Sequence, residues 1–184
     1  MKILAIADKK PELLDKLLKD NNFDLIITLW DLYWEEIKEI KDLNIPKIGV
    51  YWNHCNIYQS EYMIDLKINN LHLKSINIWN YKFWWFEWCV RYKNQEHFMY
   101  TQKEANELIN KLDKVDILIA HCPPKWINDN DDKAHEWFEA LKTYIDRYNP
   151  KYFFHWHTYN DWKFIRKYKE TNIIYVNWYE ILDI

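Results

Sequence analysis

The residues best suited to chemistry in this 184-residue sequence are Asp8, Asp31, Asn53, His54, His121 and His157. Each stands at the end of a short apolar run: Lys2–Ala7 before Asp8, Asp24–Leu29 before Asp31, Lys47–Tyr51 before Asn53-His54, Val115–Ala120 before His121, and Tyr152–Phe154 before His155-Trp156-His157. Carboxylates, an amide and imidazoles can together hold a divalent cation, and neutral imidazole nitrogens favour Mn, Fe or Zn over Mg or Ca. Any one of them alone reads as an ordinary turn residue. The weight lies in five strand ends delivering such groups in succession, because open α/β sheets collect ligands at the C-terminal ends of their strands.

The elements that must position these groups follow from periodicity. Runs 2–7, 24–29 and 47–51 read as three buried parallel strands. Pro11 suits a helix start, with Leu13, Leu14, Leu17 and Leu18 at helical spacing to about Asp20, and a second helix is expected on Ile37 and Ile40 before Pro46. The stretch 57–70 is weak, with room for a short helix, and 71–74, 76–78 and 82–86 are strand candidates. Thr101 with Glu104 three residues later is a capping-box pattern opening a helix over 102–112. A long polar loop after His121-Cys122-Pro123-Pro124 leads to a helix over 133–148, which Pro150 stops. Segments 164–169, 173–176 and 179–182 read as a closing antiparallel meander. His72 and His97 read as surface or core histidines, His155 alternates away from His157, and 128–132 reads as a solvated loop at the rim.

A chain of this length suits one domain. A net charge of −3 and pI near 6.2 provide no basic field for nucleic acid or anionic lipid. The apolar start is too short for a signal peptide and no run approaches a membrane span, so the expectation is a cytoplasmic protein. Cys55, Cys89 and Cys122 have no CxxC spacing and read as reduced thiols.

The composition contains one anomaly: twelve Trp against a single Gly. Together the two come to about the 7% share that glycine alone usually holds. The tryptophans also stand where turns need a residue without Cβ: Trp30 before Asp31, Trp52 before Asn53-His54, and Trp156 between two histidines. The pattern is that of a gene that uses UGA for glycine, read with a code in which UGA means tryptophan. The rival is a genuinely Trp-rich binding module offering a stacking surface to sugars or bases.

With Trp52 read as glycine, the ordered set Asp8, Trp30-Asp31, Trp52-Asn53-His54, His121 and Trp156-His157 resembles the calcineurin-like metallophosphoesterase superfamily, whose motifs run DxH, GDxxD, GNH(D/E), a lone His and GHxH. The resemblance covers nearly the whole chain. Tyr100–Glu104, Asp116–Pro124 and Ala134–Phe138 look like a small prokaryotic branch in which the first-motif His is often absent.

The resemblance implies a four-layer α/β/β/α sandwich and a metal-dependent phosphoesterase that cleaves a small phosphorylated substrate, a phosphomonoester or phosphodiester. It places Asp8 on a first metal, Asp31 between two metals, and Asn53, His121 and His157 on the second. A hydroxide generated on the ions then attacks phosphorus in line, with His54 as general acid to the leaving oxygen. Lys10 stands in place of the first-motif His and Tyr159 in place of the last-motif His, so the first-metal site is remodelled. Trp34 and Cys55 also replace the usual acidic residues. Arg91 and His135 are further candidates to reach a phosphate. The alternative is a catalytically degenerate member of the same fold that serves as a scaffold or binding protein.

Overall fold

Strand alternation sorts the apolar residues into two cores. In the strand Tyr81–Phe86, Phe83 and Trp85 enter one core while Trp84 and Phe86 enter the other; Ile117 and Ile119 oppose Leu118 and Ala120 in the same way, as Phe154 opposes Phe153. A sheet that buries both faces must be covered on both. The computed structural model describes residues 1–30, 36–50, 57–87, 89–91, 99–129, 137–157 and 165–184.

Sheet one comprises β1 (Lys2–Ala7), β2 (Leu25–Trp30), β3 (Lys47–Gly49), β4 (Asn69–Asn70) and, last in the chain, β13 (Tyr179–Asp183), in the order β13-β1-β2-β3-β4. β1, β2 and β3 are mutually parallel, as their buried β-branched runs predict. Sheet two comprises β5 (Ser75–Ile78), β6 (Tyr81–Phe86), β9 (Ile117–Ala120), β10 (Tyr152–His155), β11 (Lys167–Tyr168) and β12 (Thr171–Tyr175), in the order β11-β12-β10-β9-β6-β5. β7 (Cys89–Val90) and β8 (Met99–Tyr100) form a small separate pair.

Leu14 of α1 (Leu14–Asp20) and Met63 of α2 (Ile57–Asp65) join sheet one and the inner face of sheet two in the first core. Ala105 and Ile109 of α3 (Gln102–Ile109) and Leu141, Tyr144 and Ile145 of α4 (Glu139–Tyr148) cover the outer face of sheet two. This is a layered α/β sandwich. The capping box at Thr101 and Glu104 forms as expected.

Three expectations change. Among the described residues, the helix expected on Ile37 and Ile40 is 3-10 rather than α, at Lys38–Ile40, although both isoleucines are buried. Residues 71–74 are not a strand: Leu73 has φ 55, and only His72 bridges to Trp85. The closing segments begin as the expected meander, β11 lying antiparallel to β12, but β12 then pairs in parallel with β10 and β13 crosses to sheet one, antiparallel to β1. The short link Asn177-Trp178 looks like a hairpin turn in sequence. In the fold Trp178 has φ 67 and its carbonyl accepts from Ala7 N–H, which turns the chain into the other sheet.

The tryptophans bear directly on backbone conformation. Among the described residues ten non-glycines have positive φ, and three of them are Trp79, Trp126 and Trp178. A bulky residue in this region is an outlier. In the β5–β6 hairpin, Ile78 pairs with Tyr81, and of the two loop residues only the first, Trp79, has positive φ. That is the hairpin turn whose first central position calls for glycine. Trp79 and Trp126 are 69% and 63% exposed, so burial does not account for them. The sequence's single glycine, Gly49, has a packing reason: a Cβ there would lie 2.4 Å from Thr28 Oγ1.

Candidate metal site

Parallel pairing aligns the C-terminal ends of β1 to β3 in sheet one and of β6, β9 and β10 in sheet two. Asp8 follows β1 with φ 62, and Lys9 N–H bonds the carbonyl of Ala7 across it at 2.7 Å. A three-residue turn of this hand is strained for an L-residue, and such strain concentrates at functional sites. His121 follows β9 and is fully buried. Its carbonyl accepts from Trp156 N–H at 3.2 Å, which ties the end of β10 to the end of β9.

Two residues beyond β10, His157 also has left-handed backbone, φ 67. Its ring meets that of His121 with centroids 4.6 Å apart and planes inclined by 38°. Trp137 and Trp156 set their rings edge-on to His157, at 5.4 and 6.2 Å. Two imidazoles in contact, one fully buried, are the donor pair a Mn, Fe or Zn ion takes. The residues present therefore fit such an ion in part. Among the described residues no group of three or more His, Cys, Asp and Glu is placed to hold a metal.

Asp31, Asn53, His54, Tyr159 and His135 lie outside the described residues. Lys10 is described: its ammonium pairs with Glu39, and that bond helps hold the Glu39 carboxyl below its ordinary range against the opposing effect of burial. Arg91 donates from Nη2 to Glu104 at 3.3 Å and to the Met99 carbonyl at 3.4 Å, which places it at the start of α3. Cys122 and Cys89 are buried and in no disulfide, and burial pushes the Cys122 thiol up, so it stays a neutral thiol.

Alternation along a strand would set His155 and His157, two residues apart, on one face; it is the left-handed backbone at His157, past the end of β10, that goes with their different ring contacts. His155 is fully buried, and burial lowers its pKa to about 3. Asn128 Nδ2 sits 3.0 Å from its Nε2, and the same side chain donates to the Ile165 carbonyl and accepts from Ile165 N–H. Asn128 is thus a buried clamp between two segments rather than part of a solvated loop, and its φ of 60 is a backbone that asparagine tolerates.

Sequence reading missed Glu87. It follows β6 as Asp8 follows β1, so the same signal, a carboxylate closing an apolar run, was present. Glu87 is 1% exposed. Its main-chain N–H lies 3.3 Å from His72 Nδ1, and its Oε2 lies 3.4 Å from the same atom. His72 Nε2 in turn lies 2.9 Å from Tyr100 Oη. Burial lowers the His72 pKa to about 4, so the imidazole is neutral: Nδ1 accepts from the Glu87 N–H, Nε2–H donates to Tyr100, and the contact with Oε2 is not an ion pair.

No protein-family model matches the sequence, and no curated protein matches it. One solved crystal structure superposes with a TM-score of 0.67 at 16% identity, over 94% of this chain and 89% of that one. The crystal structure of TT1561 of Thermus thermophilus superposes with a TM-score of 0.58 at 16% identity, over 84% of this chain and 80% of that one. At these identities the likeness establishes the fold. No helix among the described residues is long and apolar enough to cross a membrane.

Proposed function

We propose that the chain is a calcineurin-like, metal-dependent phosphoesterase acting on a small phosphomonoester or phosphodiester. The observation that carries this reading is the contact between His121 and His157, delivered by the adjacent parallel strands β9 and β10 of sheet two, while in sequence Asp31 and Asn53 follow β2 and β3 of sheet one. Asp8, Asp31, Asn53, His121 and His157 would hold one or two Mn, Fe or Zn ions. When bound, the metal supplies Lewis acidity toward the phosphoryl oxygens. His54 donates the proton to the leaving oxygen, and Lys10 neutralises Glu39 where the family has a first-motif histidine.

The tryptophans belong to the same proposal: the functional chain carries glycine at those positions. Trp137 and Trp156 pack on His157 in the literal sequence. Glycine at these two positions removes both rings from beside the ligand.

The engagement of Lys10 with Glu39 favours a second reading, a scaffold of the same fold without turnover. The glycine-bearing chain, purified with Mn and assayed against bis-p-nitrophenyl phosphate, decides between them. One or two equivalents of tightly held metal with turnover support the enzyme. A folded chain with neither overturns it in favour of the scaffold, and UGG codons at the twelve positions overturn the glycine assignment.

A further inference from the structure

We infer that Asn128 and His155 are positioning residues that set the turn at His157, and through it the way the His157 imidazole meets His121. The inference deepens the phosphoesterase reading and rests on it only where it speaks of metal.

His155 is the last residue of β10 and is fully buried. Asn128 decides which of its ring nitrogens carries the proton. The Asn128 side chain meets Ile165 twice, its Oδ1 accepting the main-chain N–H at 2.6 Å and its Nδ2 donating to the carbonyl at 3.1 Å. Because Oδ1 must face that N–H, Nδ2 is the atom 3.0 Å from His155 Nε2, and an amide N–H there needs an acceptor. Nε2 is therefore bare and the ring proton sits on Nδ1, which lies 3.4 Å from the Trp156 carbonyl. Two bonds to Ile165 would be enough to tie that segment down. The third, to a buried imidazole beside His157, is what a positioning role adds.

The Trp156 carbonyl belongs to the peptide that joins residues 156 and 157. A peptide is planar, so holding its oxygen sets the plane from which His157 departs at φ 67, a region that L-residues disfavour. On its other side Trp156 N–H bonds the His121 carbonyl, so the main chain of residue 156 is held at both ends. The two imidazoles then meet with centroids 4.6 Å apart. Asn128 itself lies on the segment that leaves β9 through His121, so the relay joins the two chain segments that carry these histidines. Only main-chain atoms of residue 156 take part. The relay is therefore the same whichever side chain stands there.

The test uses the full chain with and without Mn. The dipolar contact between the ring protons of His121 and His157 is read by NMR in the metal-free protein, and Mn affinity is read by calorimetry. His155→Leu, which fills the space without a ring nitrogen, is expected to weaken the ring contact and to lower Mn affinity roughly 10-fold, with circular dichroism unchanged. His155→Asn, whose amide nitrogen can stand where Nδ1 does, is expected to change both less. Asn128→Gly removes the side chain at a backbone angle, φ 60, that glycine adopts freely. It is expected to act in the same direction as His155→Leu, and it decides the matter should His155→Leu not fold. A ring contact unchanged in the folded variants, or weakened equally by His155→Leu and His155→Asn, overturns the inference, whether or not Mn binds. A ring contact weakened in the expected order in a chain that takes no Mn upholds the relay and overturns the metal reading instead.

Discussion

Two sets of residues share the same unfavourable backbone and differ in the side chain that it aims. Asp8 and His157, just past the C-terminal ends of β1 and β10, have φ of 62 and 67; Trp79, Trp126 and Trp178, in turns with exposed side chains, have φ of 54, 64 and 67. A left-handed non-glycine residue costs of order 1 to 3 kcal/mol. At Asp8 and His157 that cost aims a carboxylate and an imidazole. At the three turns it aims an indole toward solvent, with a lysine ammonium over the ring at Trp126 and Trp178 and no such contact among the described residues at Trp79. Strain with a chemical use should be kept when replaced residues are compared, whereas strain without one should vanish when glycine is restored.

The largest effect should come from breaking the first set. In the glycine-bearing chain, Asp8→Gly and His157→Gly should each hold or raise the melting temperature while lowering Mn-dependent turnover by more than the roughly 100-fold that even an outer partner of a metal can cost. Calorimetry and a phosphodiester assay on the same samples measure both. A variant that keeps its turnover removes that residue from the site.

The contrast sharpens along a single strand end, where His155 and His157 differ by two positions. His155 is held neutral by burial, its pKa lowered from an ordinary 6.5 to about 3. Below pH 6.5 the unfolded chain takes up a proton that the folded chain refuses. This contribution to stability is complete above pH 6.5 and falls by about 1.4 kcal/mol per pH unit as pH drops toward 3. His155→Asn should flatten that part of the stability profile, measured by urea unfolding between pH 4 and 7. An unchanged slope would mean that His155 is not the group responsible, and His72, also lowered by burial, would be tested next.

Continuous apolar runs made the central strands of both sheets legible. Lys2–Ala7 and Ile117–Ala120 could be placed from their residues because a β-branched run that ends in Asp or His suits a buried strand and little else. The crossing of β13 to sheet one was not legible, because a five-residue strand pairs equally well in sequence with either neighbour and the choice is made by the left-handed turn at Trp178. Asp8, His121 and His157 were picked from type and position, and the structure sets them just past the ends of β1, β9 and β10. Glu87 was missed because its partners, His72 and Tyr100, are 15 and 13 residues away and declare themselves only once β6 and the β7–β8 pair are in place.

The smallest effects separate the tryptophans from one another. Trp79→Gly should stabilise by about 1 kcal/mol, since it puts glycine at the turn position that demands it. Trp126→Gly and Trp178→Gly should gain less, because Lys125 and Lys9 place their ammonium groups 5.1 Å from the two rings. An exposed cation over an indole contributes about 0.5 to 1 kcal/mol, which glycine gives up. Thermal melts of the three single variants therefore have an expected order, Trp79 first. If Trp79→Gly is neutral or destabilising, the hairpin accommodates tryptophan without strain, and the distinction between useful and useless left-handed residues loses its clearest case.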